Sequence, residues 1–422
     1  MDAHRRTRGC CRGKGVRGPG QSRGSQQICV PMERELYDQI WHDHARVRQW
    51  LESLIAVSPE LFPVGIADGF QLHGRLSVSK KLGVRLRQVR LKEGRVFSLR
   101  PSFVTAYMTG TVADLEHPLL LLSVGTPCWV VTHIFGHNDM YWQRQLERLG
   151  RNSLVGTTVR DPARLPQDLV ADEHHADWCG EKGYVAVTAG GGCFLGVALT
   201  ESADDSHLEQ AYADFQREAH EVSPEYAPRT VNTDGWAATQ NAFRALFSTI
   251  TVVLCFLHGF LKIRDRCRKA RDLHARVWEV YHAATAAEFS TRFAALRDWW
   301  SNGSWTAPVL STLEKLWNRR DEYLTSYSHP GCHRTSNLVD RLMNRLRRRL
   351  YSGRGLHGNQ ASSERRLRGL ALLENFRPFA PRSNHHREYQ SPAHRLSRKQ
   401  YHPHWLHNLQ ASASLNGFRG CT

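Results

Sequence analysis

Leu36, Ile40, Val47, Leu51 and Leu54 recur at helical spacing and predict one amphipathic helix over Met32–Leu54. A turn region rich in Pro and Gly follows (Pro59, Pro63, Gly65, Gly69), then a basic, strand-like segment, Arg85–Phe97. Nothing in residues 32–110 points to a role. Leu115–Val124 and Cys128–Phe135 read as short helices, the second opened by Thr126-Pro127. The turn Gly136-His137-Asn138 leads into Met140–Leu149, which carries Tyr141, Trp142, Arg144 and Arg148. A short helix, a glycine turn and an aromatic, basic second helix make a helix-turn-helix pattern over 111–165, although a plain helical hairpin would look the same.

After Gly150 the period changes. Leu169–His174 and Gly183–Thr188 read as strands, and Gly190-Gly191-Gly192 turns into a third, Phe194–Leu199. Asp205–Val222 is a helix with Leu208, Ala211, Tyr212 and Phe215 on one face. Thr230–Thr233 is a short strand ending at Asp234-Gly235, Trp236–Phe247 a helix, and Ile250–Leu254 a β-branched strand. The order β-β-β-α-β-α-β is that of a ribonuclease H-like mixed sheet, not of a simply alternating α/β domain, which would not begin with a meander. Residues 166–258 form the first part of this α/β core, and 259–333 read as an all-α insertion rich in Arg and Trp. The core resumes over 334–380, where Thr335-Ser336-Asn337 caps an Arg-rich helix, Leu338–Tyr351. Its buried stripe is Val339, Leu342, Met343, Leu346 and Leu350. The tail 381–422, with Tyr401 and Trp405 as aromatic anchors, is expected to wrap over the surface.

Composition narrows the function classes. The 422 residues hold 57 Lys+Arg against 40 Asp+Glu, a net charge of +17, which asks for a polyanion. Ten cysteines are too few for a disulfide scaffold and suit a reducing cytoplasm. The longest apolar stretch, Ala245–Leu261, is interrupted by Ser248, Thr249, Thr251 and His258, so no membrane span is expected. The N-terminus lacks the apolar run of a signal peptide. Residues 1–31 carry seven Lys/Arg and one acid, and read as a disordered basic tail: a DNA-contacting arm, or upstream sequence attached by a wrong start. Between Arg341 and Lys399, 15 Lys/Arg face only Glu364, Glu374 and Glu388. Arg345, Arg347, Arg348 and Arg349 have no acidic partners at helical spacing, which suggests a phosphate-facing surface that Asn344 would share.

Two-metal phosphoryl transfer needs carboxylates from separate elements to converge, because two divalent ions must share ligands at the scissile phosphate. Asp172 on the first strand and Asp234 at the end of the fourth meet that need. Asp340, in the first turn of the Arg-rich helix and on the face of Asn344 and Arg347, supplies a third. Glu173 should point to the opposite face of its strand. Cys255 and His258 also have zinc-donor chemistry, with Cys267, Cys332 or His333 as partners, but no second pair has finger spacing.

Leu169-Val170-Ala171-Asp172-Glu173, Asn232-Thr233-Asp234-Gly235-Trp236 and Thr335-Ser336-Asn337-Leu338-Val339-Asp340 resemble the three acidic motifs of DDE-type insertion-sequence transposases. The resemblance spans roughly residues 135–378. Cys255-Phe256-Leu257-His258 is similar to the Cys-x-x-His motif of Mutator-like transposases. The resemblance implies Asp172, Asp234 and Asp340 as catalytic ligands of two Mg²⁺ (or Mn²⁺) ions, with His258 lining the site. It also implies double-stranded DNA partners (terminal inverted repeats and target DNA), a homodimer on DNA, and a cytoplasmic, nucleoid-associated protein. Trp142, Arg144 and Arg148 would read the ends, and Asn344, Arg345, Arg347 and Arg348 would hold DNA at the site. The third acid is usually Glu, one carbon longer than Asp340; Glu364 and Glu374 match no motif. Two other readings stand beside the transposase: a catalytically impaired, transposase-derived DNA-binding protein, and a ribonuclease H-fold nuclease without strand transfer.

Overall fold

The computed structural model of the protein describes residues 27–266 and 270–418. The first unit runs β1 (Gln27–Val30), α1 (Arg34–Ile40), α2 (His44–Val57), β2 (Phe70–Arg75), β3 (Arg87–Leu91) and β4 (Val96–Pro101). Its sheet has the order β1-β4-β3-β2, with β1 parallel to β4 and the rest antiparallel. Two expectations change here. The single helix over Met32–Leu54 is two helices, because the Asp43 carboxylate accepts from the N–H groups of Ala45 and Arg46 and starts α2 afresh. The basic tail, for residues 1–26, lies outside the described residues, but residues 27–30 are a core strand. Ile28, Cys29 and Val30 are buried, so a chain begun at Met32 would lack an edge of this sheet.

Next come α3 (Val112–Ser123), α4 (Cys128–Phe135), α5 (Asp139–Leu149) and α6 (Leu154–Thr158). The main sheet is built from β5 (Asp168–Trp178), β6 (Glu181–Gly190), β7 (Cys193–Thr200), β8 (Thr230–Thr233) and β9 (Thr251–Leu254), with α7 (Asp205–Val222) and α8 (Ala237–Leu246) between its last strands. Its order is β7-β6-β5-β8-β9: the first three strands are antiparallel and β8 and β9 join parallel to β5. The protein is thus mixed α/β.

The period of two along β5 sorts its side chains between layers. Leu169 and Ala171 pack with Leu208, Tyr212 and Phe215 of α7. Val170 packs on the opposite face with Val339, Leu342 and Leu346 of α14 (Asn337–Ser352), the arginine-rich helix. Between β9 and α14 lie α9 (Phe256–Arg266), α10 (Arg271–Tyr281), α11 (Ala286–Ser301), α12 (Ala307–Asn318) and α13 (Arg320–Leu324), with a core of their own that includes Phe289, Phe293 and Trp300.

The α14 layer continues into α15 (Gln360–Phe376), which lies against α5 with backbones in contact. A Cβ on Gly369 would fall inside the Leu146 carbonyl oxygen, and one on Gly150 inside that of Arg365. Gly369→Ala is therefore expected to cost about 3 kcal/mol in a urea melt, although Gly→Ala inside an ordinary helix stabilises by about 1 kcal/mol. A neutral or stabilising result would show that the helices part without cost.

The tail is corrected as well. Residues 381–388 do lie largely exposed, but after α16 (Pro392–Ser397), α17 (Trp405–Ser412) is buried along its length, so the described residues from 391 to 418 are not a surface wrap. Trp405 and Leu409 join the main core, and Tyr401 packs on the first unit. Buried Arg160 donates to the carbonyls of Glu60, Ser412 and Ser414, tying this segment to the N-terminal unit. No helix among the described residues is long and apolar enough to cross a membrane.

Candidate active site

The parallel pairing of β5 with β8 sets Val170 against Asn232, the last pair of that ladder. Asp172 and Asp234 each lie two residues further on: Asp172 midway along β5, where the β8 ladder has ended but pairing with β6 continues, and Asp234 just past the end of β8, where an open α/β sheet exposes functional groups. Asp172 shares the face of Val170, toward α14. Glu173 turns the other way, as the sequence predicted, and accepts from the Tyr212 hydroxyl (2.5 Å) and the Thr239 hydroxyl (2.8 Å). Gly235 lets the chain leave at once (φ +95°). A Cβ there would lie 2.7 Å from Arg319 Nη1 and 2.8 Å from Leu254 Cδ1.

Electrostatics mark this spot. Burial, and then the charges of Asp234 and Glu173, push the Asp172 carboxyl up to about 7, against the pull of His258. The hydrogen bond with Cys255 pushes His258 up to about 9, against burial and with help from Asp234 and Asp172. Burial raises the Cys255 thiol, yet its hydrogen bonds with His258 and Ser336 together hold it below its usual range. On the α14 side, burial and then Arg347 push His174 down to about 4, and Arg347 Nη2 lies 3.4 Å from His174 Nδ1.

Ser336 connects the Cys-x-x-His segment to the third acid. Its backbone N–H donates to Cys255 Sγ (3.2 Å) and its Oγ lies 3.5 Å from His258 Nδ1. The hydroxyl donates to Asp340 Oδ2 at 2.8 Å. Ser336 does start α14, but its side chain makes no cap bond to the helix backbone. The structure thus gathers Asp172, Asp234 and His258, and joins Asp340 to them through Ser336. The three aspartates do not draw into one tight cluster. Among the described residues, only Glu33, His402 and His407 bring three such ligand atoms within 4.8 Å of one another.

The other expected residues divide. Asn344, Arg347 and Arg348 are exposed on α14. Arg345 and Arg349, expected to be unpaired, reach across to Glu374 of α15, whose side chain is 1% exposed. Glu364 receives the Leu199 N–H (3.2 Å), so neither alternative third acid faces the site. Trp142 is corrected from a DNA contact to a core residue: it is 1% exposed and its indole N–H donates to the Gly136 carbonyl (3.2 Å). Arg148 is half-buried and lines an interior cavity of about 40 Å³ with Arg100 and Gln410. Of that trio only Arg144 is exposed, and α5 is a packed helix rather than a free recognition helix. Among the described residues Cys332 and His333 do not gather with Cys255 and His258 into a metal-ligand cluster, and Cys332 Sγ lies 3.5 Å from the Ser326 carbonyl. Cys267 lies outside the described residues.

Two residues near Asp234 had no role assigned from sequence. Arg319, at the end of α12, faces Asp234 while paired with Glu322 (2.6 and 2.8 Å), so the helical insertion leans over the site. Only the fold brings it there. Trp236 is 54% exposed, with its indole held by the Ala203 carbonyl (2.9 Å). Its position two residues after Asp234 was a readable signal.

The raised Asp172 carboxyl has a thermodynamic consequence. The folded state keeps a proton that the unfolded chain releases near pH 4, so stability falls as pH rises from about 4 to about 7. Asp172→Asn should remove this, raising the melting temperature at pH 8 by a few degrees and changing it little at pH 4. Equal melting shifts at both pH values would refute the account. No protein-family model matches the chain, and no curated protein matches it.

Proposed function

We propose that this chain is a DNA transposase of the DDE type, cleaving and joining DNA at element ends by metal-dependent phosphoryl transfer. The observation that carries the reading is the placement of Asp172 and Asp234 just beyond the last β5–β8 pair, where burial and then the charge of Asp234 raise the Asp172 carboxyl. The strand order β7-β6-β5-β8-β9, with a helical insertion before the helix of the third acid, supports a ribonuclease H-like core. An acid pair of this kind fits a divalent cation. Burial and Asp234 together leave the Asp172 carboxyl short of holding its own charge, a strain that a cation would relieve. Asp172 and Asp234 would hold Mg²⁺ or Mn²⁺, with Asp340 as the third ligand. Such ions polarise the phosphate and lower the pKa of an attacking hydroxyl.

The chain's own groups do the remaining work. The His258 imidazolium, protonated at neutral pH, offsets phosphate charge beside the acids. Ser336 orients Asp340 through its hydroxyl, and Arg347 on the same flank of α14, with Asn344 on the crest beside it, meets the DNA backbone. The exposed Trp236 ring offers a stacking face for an unpaired base. In the first step water attacks the scissile phosphorus and the DNA 3′-oxygen leaves as a hydroxyl. In the second, that hydroxyl attacks a target phosphorus and the target's own 3′-oxygen leaves. Two ends must be handled together, which favours a homodimer on DNA.

One observation favours the impaired reading: Asp340 is short, and the Ser336 hydroxyl already occupies one of its oxygens. The test is Mg²⁺-dependent cleavage of DNA carrying the inverted repeats that flank the coding sequence. Nicked and strand-transfer products support the transposase. Cleavage without joining leaves the simple nuclease, and binding without cleavage overturns the enzyme.

A further inference from the structure

On the other flank of α14 lies an open cavity of about 860 Å³ into which Arg164, Arg334, Arg341, Arg395 and Arg398 converge, with no acidic side chain in its wall. Among the described residues, no ion pair within 4 Å joins any of the five to a carboxylate. The other arginine clusters behave differently: Arg345, Arg349 and Arg377 share Glu374, and Arg368 pairs with Glu218. Five cations drawn together without a counter-charge repel one another, and a polyanion relieves that cost.

Three of the five are held in place by groups that do not cancel their charge. Arg395 donates to the Gly191 carbonyl (3.0 Å) and lies 2.6 Å from His385 Nε2. It crosses the β6–β7 turn where Gly192 (φ +90°) has no side chain to block it. Arg334 donates to the Tyr281 carbonyl (2.9 Å) and the Tyr327 hydroxyl (2.7 Å). Arg398 stacks over Tyr389, 4.6 Å from the ring centroid. Arg164 and Arg341 are exposed at the rim. Forked donors already oriented by carbonyls and rings suit phosphate oxygens.

The position follows from the helix. Asp340 and Arg341 are consecutive, hence about 100° apart around α14. Asp340 shares one flank with Ser336 and Arg347, Arg341 shares the other with Arg348, and exposed Asn337 and Asn344 run between them. A strand leaving the acids therefore has only the crest of one helix to cross before entering the cavity. We propose that this arginine-lined cavity binds the phosphodiester backbone of the duplex flanking the scissile bond, as a second DNA track separate from Asp172, Asp234 and Asp340. The proposal rests on the transposase reading for the identity of the nucleic acid.

The test uses the full-length Arg164→Gln/Arg341→Gln variant and a fluorescein-labelled DNA duplex of arbitrary sequence, about 30 base pairs long, titrated without divalent metal at several salt concentrations. Each lost phosphate contact lowers the slope of log affinity against log salt by about 0.9. The expected result is a slope smaller by about two and an affinity roughly tenfold or more weaker at low salt, with an unchanged urea melt because both residues are exposed. Wild-type slope and affinity in the variant would overturn the proposal. So would a loss confined to an RNA duplex of equal length, which would make RNA the occupant. Asp234→Asn, measured alongside, should keep the wild-type slope. If wild type binds with the larger slope yet never cleaves, the enzyme reading fails while this track stands.

Discussion

Asp234→Asn is expected to abolish Mg²⁺-dependent cleavage, by about a thousandfold or more, while leaving the protein folded and DNA-binding. A divalent ion at a reacting phosphate supplies several kcal/mol, and each 1.36 kcal/mol is worth about tenfold in rate. Asparagine keeps the shape of Asp234 and can still accept from the Trp236 N–H, which bonds Asp234 Oδ1 at 2.8 Å, so the turn into α8 should survive. What goes is the charge that, on the proposed reading, would share a cation with Asp172. The variant should also let the Asp172 carboxyl fall from about 7, because the second-largest cause of its rise is removed. Residual metal-dependent cleavage near wild-type rates would place the chemistry elsewhere. Asp340→Glu belongs to the same measurement. If the short third acid limits the reaction, glutamate restores reach past Ser336 and activity rises; if glutamate lowers it, aspartate is the fitted residue.

The elements around this site were legible because their signals are local. Asp205–Val222, Thr230–Thr233 and Cys128–Phe135 appear in the structure with the bounds read from sequence, each set by a cap, a glycine or a proline. Asp172 and Glu173 parted to opposite faces as a period of two requires. Non-local placement was not legible. The strand Gln27–Val30 is four residues long and follows a polar, glycine-rich run, and its partner β4 comes some 70 residues later. The polar side chains of His402, His407 and Asn408 disguised a segment that is buried between two units. Trp142 has the composition of a reading helix, but Gly150 and Gly369, which let α5 and α15 touch, make that helix part of the core. Arg319 reaches Asp234 only because the insertion folds back over the sheet.

The arginines of α14 show the same limit in energetic form, and one substitution separates their roles. Glu374→Ala is expected to destabilise the protein by about 3–5 kcal/mol, because it leaves Arg349, itself 4% exposed at the side chain, as a buried charge without its partner. Burial would raise the Glu374 carboxyl, but Arg377, Arg349 and Arg345 together hold it below its usual value. Its stabilising share is therefore present at neutral pH and lost as pH falls through that lowered value. Glu374→Gln/Arg349→Met, which removes both charges and keeps the volume, should recover most of the loss. Neither change should alter the salt dependence of DNA binding by more than the contact of Arg345, which is half-exposed. Arg347→Gln/Arg348→Gln should do the reverse, leaving the urea midpoint in place and lowering the salt slope by about two. If Glu374→Ala leaves the urea midpoint unmoved, the charge on this helix is not structural, and all four arginines return to the DNA face that the sequence suggested.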